Sequence, residues 1–467
     1  MTEALSFDLV IIGSGPAGYV ASIRAAQLGM KVACVEKQFL GGTCLNVGCI
    51  PSKALLESSE LYAQAQHKLK DHGIVAEGVR VDFPKMMARK DAVVRQLTSG
   101  IGGLFKKNKV THLRGTAQIT KDKKVNITGG DEPQTVEAKH IVIATGSSPI
   151  ELPFLKFDGK RIIDSTGALA LSEIPKELIV IGGGYIGLEM GSVYLRLGST
   201  VTVIEALERI VPNMDIELGS ALQRVLTKQG MKFHLATKVK SGKVKGDRVE
   251  LVVADAAGKE TTLGADVVLV SVGRKPHTEG LGLADAGITQ DPQGRIVVNE
   301  RFETNVTGVY AVGDVIAGPM LAHKASEEGV ALVEMLAGHT AHVNYDAIPG
   351  VVYTWPEAAS VGLSEEQAKE KGIHYNIGKF PFMANGRAIA MGEKDGFVKL
   401  IADATTGKLI GGHIIGPRAS DMIAELVLGM EFSAVAADLA LTIHAHPTLS
   451  EVVKEAAIDL TTGKIHL

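Results

Sequence analysis

Residues 7–36 read FDLVIIGSGPAGYVASIRAAQLGMKVACVE, and residues 178–205 read LIVIGGGYIGLEMGSVYLRLGSTVTVIE. Each stretch is an apolar strand, a glycine-rich turn, a helical pattern closed by Leu-Gly, a second β-branched strand and a terminal Glu. The first glycines of the two turns lie 169 positions apart, and in both copies the last turn glycine precedes its Glu by 18. A lone GxGxxG carries little weight, but one that follows a strand, opens a helix and is trailed by an acid is the dinucleotide-binding fingerprint. Gly13 and Gly182 allow the tight turn, Gly15 and Gly184 let backbone approach a pyrophosphate, and Gly18 and Gly187 let helix pack on strand. The pyrophosphate then sits at the positive end of a helix. Glu36 and Glu205 are positioned to accept hydrogen bonds from ribose hydroxyls. Glu205 also selects, because a 2′-phosphate beside a carboxylate is a costly like-charge contact. With Ala206 and Leu207 next to it and only Arg209 nearby, NAD is favoured over NADP.

Outward from these units, 467 residues suggest about three domains. A βαβ unit duplicated at domain scale is no solenoid, whose repeats run to roughly 20–50 residues. Between the copies, Leu61–Asn108 reads mainly as amphipathic helix, and Val110–Ala144 as short strands broken by Gly-Gly and Glu-Pro. After about residue 340 the texture changes. VVYTW at 351–355, FVKLIAD at 397–403 and LIGGHIIG at 409–416 read as strands, and Ala419–Ala440 is helically periodic. The expected fold class is α/β: two Rossmann-like dinucleotide-binding domains followed by a C-terminal α+β domain.

Composition narrows the function. Lys and Arg number 49 against 52 Asp and Glu, a net charge of −3. That balance excludes the strongly basic face nucleic acid requires and a polybasic membrane anchor. The runs KKNK at 106–109 and KDKK at 121–124 read as solvated loops. Apolar stretches are of strand length, far short of the ~20 residues that span a bilayer. The N-terminus has neither a secretory nor a transit pattern, and three cysteines make no secreted disulfide framework. These features point to a reducing compartment, most simply a cytoplasm. Glycine is in surplus, 53 residues or about 11% against a usual 7%, so backbone repeatedly needs special angles or close approach.

Two cofactor sites on one chain imply electron transfer, and a hydride carrier pairs naturally with a flavin. The segment GGTCLNVGCIPSK at 41–53 places Cys44 and Cys49 five apart, with Lys53 beyond. Two thiols at that spacing can close a small disulfide loop across the first turn of a helix. In a reducing compartment such a bridge is catalytic more often than structural, although two inert cysteines stay open as a reading. Zinc fits poorly, since no local histidines complete a ligand set, and no metal is expected. Cys34, within a strand, reads as core. The segment HAHPTLSE at 444–451 sets Glu451 five residues beyond His446, where it can orient a catalytic base; from spacing alone a purely structural histidine is equally open. His444 reads as locally bonded.

Over essentially its whole length the chain resembles the flavoprotein pyridine nucleotide–disulfide oxidoreductases. The resemblance rests on GSGPAG at 13–18, GGTCLNVGCIPSK at 41–53, ATG at 144–146, GGGYIGLE at 182–189, VGRKP at 272–276, TNVTGVYAVGD at 304–314 and HAHPTLSE. It implies FAD along the first fingerprint, with Glu36 on its ribose, Gly146 in a further segment, and Gly313 and Asp314 as a second FAD element. It implies NAD on Gly182, Gly184, Gly187, Glu205 and Gly273. By the same likeness Cys49 faces the flavin and Cys44 exchanges with substrate. Lys53 lies near the flavin's reactive edge with Glu189 as its acid, and His446 with Glu451 is base and orienter, delivered by the partner subunit of a homodimer. The implied domains are FAD-binding 1–149, NAD-binding 150–276, central 277–345 completing the FAD site, and an interface domain 346–467. The chain is most similar to members that oxidise dihydrolipoamide and reduce NAD+, with lipoyl-bearing proteins of 2-oxoacid dehydrogenase complexes or the glycine cleavage system as partners. If the chain is a processed organellar form, the mitochondrial matrix replaces the cytoplasm. A glutathione-type reductase usually carries arginines where Glu205-Ala206-Leu207 stand, a mercuric reductase ends in a cysteine pair, and a soluble transhydrogenase lacks Cys44 and Cys49.

Overall fold

The computed structural model describes residues 5–130 and 134–467; the expected Glu132–Pro133 break and the first four residues lie outside the described residues. The chain forms two compact units, one of residues 1–54, 84–150 and 273–343, the other of residues 55–83, 151–272 and 344–467.

In the first unit the parallel strands Thr111–Arg114, Val32–Glu36, Leu5–Ile12 and Gln134–Ile143 lie side by side, and Val309–Ala311 adds in parallel. The antiparallel strands Lys124–Thr128 and Thr116–Ile119 extend the sheet beyond Gln134–Ile143. Leu9, Val10 and Ile11 are fully buried. Such an unbroken apolar run is what a parallel strand covered on both faces requires. Helices Pro16–Gln27 and Ala322–Leu336 pack on each other so closely that a Cβ at Gly329 would lie 2.7 Å from the Ala17 carbonyl oxygen. The first βαβ unit closes with Gly13 N–H donating to Val35 O at 2.8 Å.

The second unit repeats this plan. Lys232–His234, Thr200–Ile204, Glu177–Ile181, Val267–Val270 and Ile162–Ile163 form a parallel sheet, and Gly182 N–H donates to Ile204 O at 2.8 Å. A three-stranded meander, Lys238–Ala265, follows as Lys238–Lys245, Arg248–Ala254 and Glu260–Ala265. The C-terminal part is a five-stranded antiparallel sheet in the order Gly350–Val352, Glu357–Gly362, Leu409–Gly416, Phe397–Asp403, Tyr375–Pro381. Helices Ala419–Glu431 and Glu451–Asp459 share its apolar core. The duplicated Rossmann-like folds and the C-terminal α+β sheet are the α/β class read from sequence.

Local readings differ in three places. FVKLIAD and LIGGHIIG are strands over those very residues, but VVYTW leaves its sheet after Val352, where residues 353–356 form the connection that brings Glu357–Gly362 back antiparallel, Val352 pairing with Ala358. The pattern at 419–440 is two helices, broken where Ser433 turns to φ +55°. Leu61–Asn108 is likewise split, into Cys49–His67 and Phe83–Asn108, by a segment with left-handed Gly73 and Gly78. Among the described residues no helix is long and apolar enough to cross a membrane.

Candidate active site

The two glycine turns are superimposable in their chemistry. Gly13 has φ +100°, and a Cβ there would lie 2.5 Å from Ala144 O; Gly182 has φ +107°, with Ser271 O at the same 2.5 Å. A Cβ at Gly18 would sit 1.8 Å from Gly13 O, and one at Gly187 would sit 2.4 Å from Gly182 O. These four glycines serve the protein's own packing. Gly15 and Gly184 differ, because nothing lies within 4 Å of their absent Cβ atoms. Both are N-caps of helices with no side-chain cap. Open space beside unsatisfied N–H groups at a helix start is what a pyrophosphate fills, so both turns fit a dinucleotide.

The trailing acids also hold the turns. Glu36 Oε2 accepts from Ser14 N–H at 3.0 Å and Ser14 Oγ–H at 2.7 Å, while Glu205 Oε2 accepts from Gly183 N–H at 2.7 Å. The carbonyl of the same residue is gripped from the other side, Ser14 O by Gly41 N–H at 3.0 Å and Gly183 O by Val211 N–H at 2.9 Å. A carboxylate accepts about four hydrogen bonds, so clamping leaves capacity for ribose hydroxyls. Arg209 spends its guanidinium on Pro212 O at 2.7 Å and Met214 O at 3.4 Å. It is therefore committed to its own loop, which reinforces the preference for NAD.

Cys44 lies on the short helix Gly42–Val47 and Cys49 opens the helix Cys49–His67, so the pair spans a break at Gly48 instead of one helical turn. A Cβ at Gly48 would lie 2.9 Å from Thr43 O, which is why glycine stands at the break. Both cysteines are free thiols and half-buried. Cys44 hydrogen-bonds Cys49; that bond, then burial, pushes its pKa up, against the pull of the Lys53 ammonium. The segment rests on the first glycine turn. Besides the Gly41–Ser14 bond, a Cβ at Gly42 would lie 2.7 Å from Gly15 Cα. Cys34 is the core residue expected, fully buried, its pKa pushed up to about 12 by desolvation.

Elsewhere in this unit Gly146 has φ +73°, and its carbonyl accepts from His277 N–H at 2.9 Å. Gly273, at φ +123°, accepts from Ile150 N–H at 3.1 Å, so it lies in the first unit while Gly182, Gly184, Gly187 and Glu205 lie in the second. Asp314 Oδ2 accepts from Ser147 Oγ at 2.5 Å, and Ser147 takes Arg274 Nε–H at 2.7 Å on that oxygen and Nη2–H at 2.6 Å on its carbonyl. Gly313 is clamped like the fingerprint turns. Its N–H donates to Glu328 Oε2 at 2.7 Å and its O accepts from Lys324 at 3.2 Å, within an ion pair that is completely buried. Sequence reasoning missed Ser147, Arg274, Lys324 and Glu328. The signal for the last two was an i,i+4 Lys–Glu pair on the buried face of AHKASEEG.

In the second unit His446 Nδ1 meets Glu451 Oε1 at 2.8 Å, and Glu451 Oε2 accepts from Thr448 N–H at 2.8 Å. Burial raises the Glu451 pKa, but the Thr448 N–H and His446 outweigh it and hold the carboxyl below its usual range. The His446 side chain is 79% exposed. His444 is bonded locally to Glu425 and Thr442 O, as expected. Glu189 is buried on the helix Tyr185–Arg196, where it accepts from Tyr353 N–H at 3.2 Å. Lys53 lies in the first unit, four residues beyond Cys49 on its helix.

The pyridine nucleotide-disulphide oxidoreductase family pattern matches residues 7–329, and the dimerisation domain of the same family matches residues 348–457. Dihydrolipoyl dehydrogenase 2, mitochondrial, of Arabidopsis thaliana is 56% identical over 463 residues, covering 98% of this chain and 91% of the relative. Leghemoglobin reductase of Glycine max is 56% identical over 454 residues, covering 97% and 87%. Among solved structures, LpdA of Mycobacterium tuberculosis superposes with a TM-score of 0.91 at 26% identity, covering 98% of this chain and all of that one, 100%. With two glycine turns, a paired dithiol and both family patterns in place, the chain belongs to the pyridine nucleotide–disulphide oxidoreductases.

Proposed function

We propose that the chain oxidises dihydrolipoamide to lipoamide and reduces NAD+, using FAD and the Cys44–Cys49 pair. One observation carries the reading. The dithiol segment is docked on the first dinucleotide turn through Gly41 N–H to Ser14 O and the contact of Gly42 with Gly15. FAD would be held by Gly13, Gly15, Gly18, Glu36, Gly146, Gly313 and Asp314 and would supply a two-electron acceptor, and NAD would be held by Gly182, Gly184, Gly187, Glu205 and Gly273 and would supply the final hydride acceptor.

The chain's own residues do the thiol chemistry. His446 Nε2, which meets no partner among the described residues while Nδ1 meets Glu451, takes a proton from a substrate thiol. The resulting thiolate attacks Cys44 Sγ of the Cys44–Cys49 disulfide and expels Cys49 as thiolate. The second substrate thiol gives its proton to the departing Cys44 sulfur as its own sulfur closes the cyclic disulfide, so that Cys44 leaves as a thiol, Cys49 stays a thiolate and the first proton remains on His446. Cys44, held protonated by donating to Cys49, makes Cys49 the sulfur that carries negative charge. Lys53 stabilises that charge, and Glu189 is assigned as the companion acid.

The dimerisation domain supports a homodimer in which each His446 serves the partner's dithiol. We assign FAD binding to 1–149, NAD binding to 150–276, completion of the flavin site to 277–345 and the interface to 346–467. Partners are the lipoyl-bearing proteins of 2-oxoacid dehydrogenase or glycine cleavage complexes. The mitochondrial relatives favour the organellar alternative over the cytoplasm expected from sequence. The test is spectral. Purified protein should show flavin absorbance, and anaerobic dihydrolipoamide should raise a long-wavelength thiolate–flavin band; flavin that stays oxidised under excess dihydrolipoamide overturns the reading.

A further inference from the structure

Beyond Glu205 itself, the loop from Glu205 to Asp215 meets the second glycine turn at Gly183, where Val211 N–H donates to Gly183 O and Ile210 Cγ2 lies 3.0 Å from where a Cβ would stand. Val211 is buried and has φ +40°, a left-handed angle that a β-branched residue adopts only when its surroundings impose it. The near end is fixed by Leu207 N–H on Glu205 Oε1 at 2.8 Å and by Ala236 N–H on Leu207 O at 2.8 Å. The far end is Asp215, fully buried, which caps the helix Ile216–Lys228 through Glu217 and Leu218 N–H. Asp215 holds a buried charge, and its cation is remote in sequence. Lys399, 1% exposed on the strand Phe397–Asp403, donates to both Asp215 oxygens at 3.2 and 3.0 Å and to Glu365 Oε2 at 2.6 Å. Glu365 N–H adds a bond to Asp215 Oδ2 at 3.2 Å.

We infer that Lys399, a residue of the dimerisation domain, is a positioning residue for NAD: it pins Asp215 and so keeps the strained 206–215 loop seated against Gly183. This rests on the reading that Gly182–Gly187 and Glu205 hold NAD. A buried carboxylate that loses its cation must move or protonate, and either change frees the loop that grips the Gly183 carbonyl.

In the flavin-loaded enzyme, Lys399→Met should raise the KM for NAD+ by about three- to thirtyfold. Flavin content and the single-turnover reduction of flavin by dihydrolipoamide, measured without NAD+, should not change. Asp215→Asn keeps the helix cap but removes the charge, and should move the NAD+ KM in the same direction. If Lys399→Met loses flavin or changes its elution on a sizing column, Asp215→Asn decides alone. An unchanged NAD+ KM, or a loss shared equally by the dihydrolipoamide half-reaction, overturns the inference. Gly184→Ala separates the two ideas: if it too leaves NAD+ binding untouched, the NAD assignment falls first.

Discussion

His446 has Nδ1 committed and, among the described residues, no partner on Nε2, and that asymmetry gives the residue scale its sharpest test. Glu451 fixes Nδ1, while Thr448 fixes Glu451. His446→Gln should slow flavin reduction by dihydrolipoamide about 10²–10⁴-fold and leave flavin reduction by NADH unchanged in stopped-flow. A depressed carboxyl pKa stabilises the fold above its ordinary value and ceases to do so only as pH falls through the depressed one. The His446–Glu451–Thr448 brace should therefore persist through neutral and mildly acidic pH and weaken only below the ordinary glutamate value of 4.5, which a denaturation series against pH checks. Cys34 is the contrasting thiol. With a pKa about 12, it is ionised at pH 8 in only about one molecule in ten thousand. Because Cys34 is also fully buried while Cys44 and Cys49 are only half-buried, iodoacetamide on the reduced native enzyme should label the pair, Cys49 ahead of the protonated Cys44, and spare Cys34, read by peptide mass. The contacts Cys44–Cys49 and His446–Glu451 were legible because their spacing is local. Ser147–Asp314 and Lys399–Asp215 join positions far apart in sequence, and no periodicity records such pairs.

Elements were legible where one force dominates. The strands at 397–403 and 409–416 are apolar runs with a single reading. VVYTW is equally β-branched but spends its last three residues turning back toward Glu357–Gly362, and 419–440 hides a helix break at Ser433, which is not a glycine. The glycine turns were legible as motifs, and the fingerprint gives its glycines different tasks, a difference the backbone geometry makes quantitative. A Cβ at Gly18 would collide with Gly13 O at 1.8 Å, whereas at Gly184 it meets nothing. Gly18→Ala should therefore force helix Pro16–Gln27 away from its strand and yield protein without bound flavin. Gly184→Ala should shift Tm by only a few degrees, about 2 °C, while raising the NAD+ KM. Thermal melts read at 450 nm for flavin release separate the two outcomes.

At the scale of the whole molecule His446 and the Cys44–Cys49 pair, the proposed base and dithiol, fall in different units of the chain, and His446 lies in the segment that matches the dimerisation domain. Near His446, Leu441 is 80% and Ile443 93% exposed. Apolar side chains so bare beside a functional group mark a surface that another protein covers, and a second copy of the chain meets that need with a self-complementary patch. If each His446 serves its partner's cysteines, two dead enzymes can rescue each other. Cys44→Ser retains a working His446, and His446→Gln retains a working dithiol. Mixed after reversible dissociation, half the dimers are hybrids, and each hybrid has one complete site and one lacking both groups. Recovered turnover should approach about a quarter of wild type, against near zero for either parent. If base and dithiol instead come from one chain, no hybrid contains a complete site, and the mixture stays as inactive as its parents.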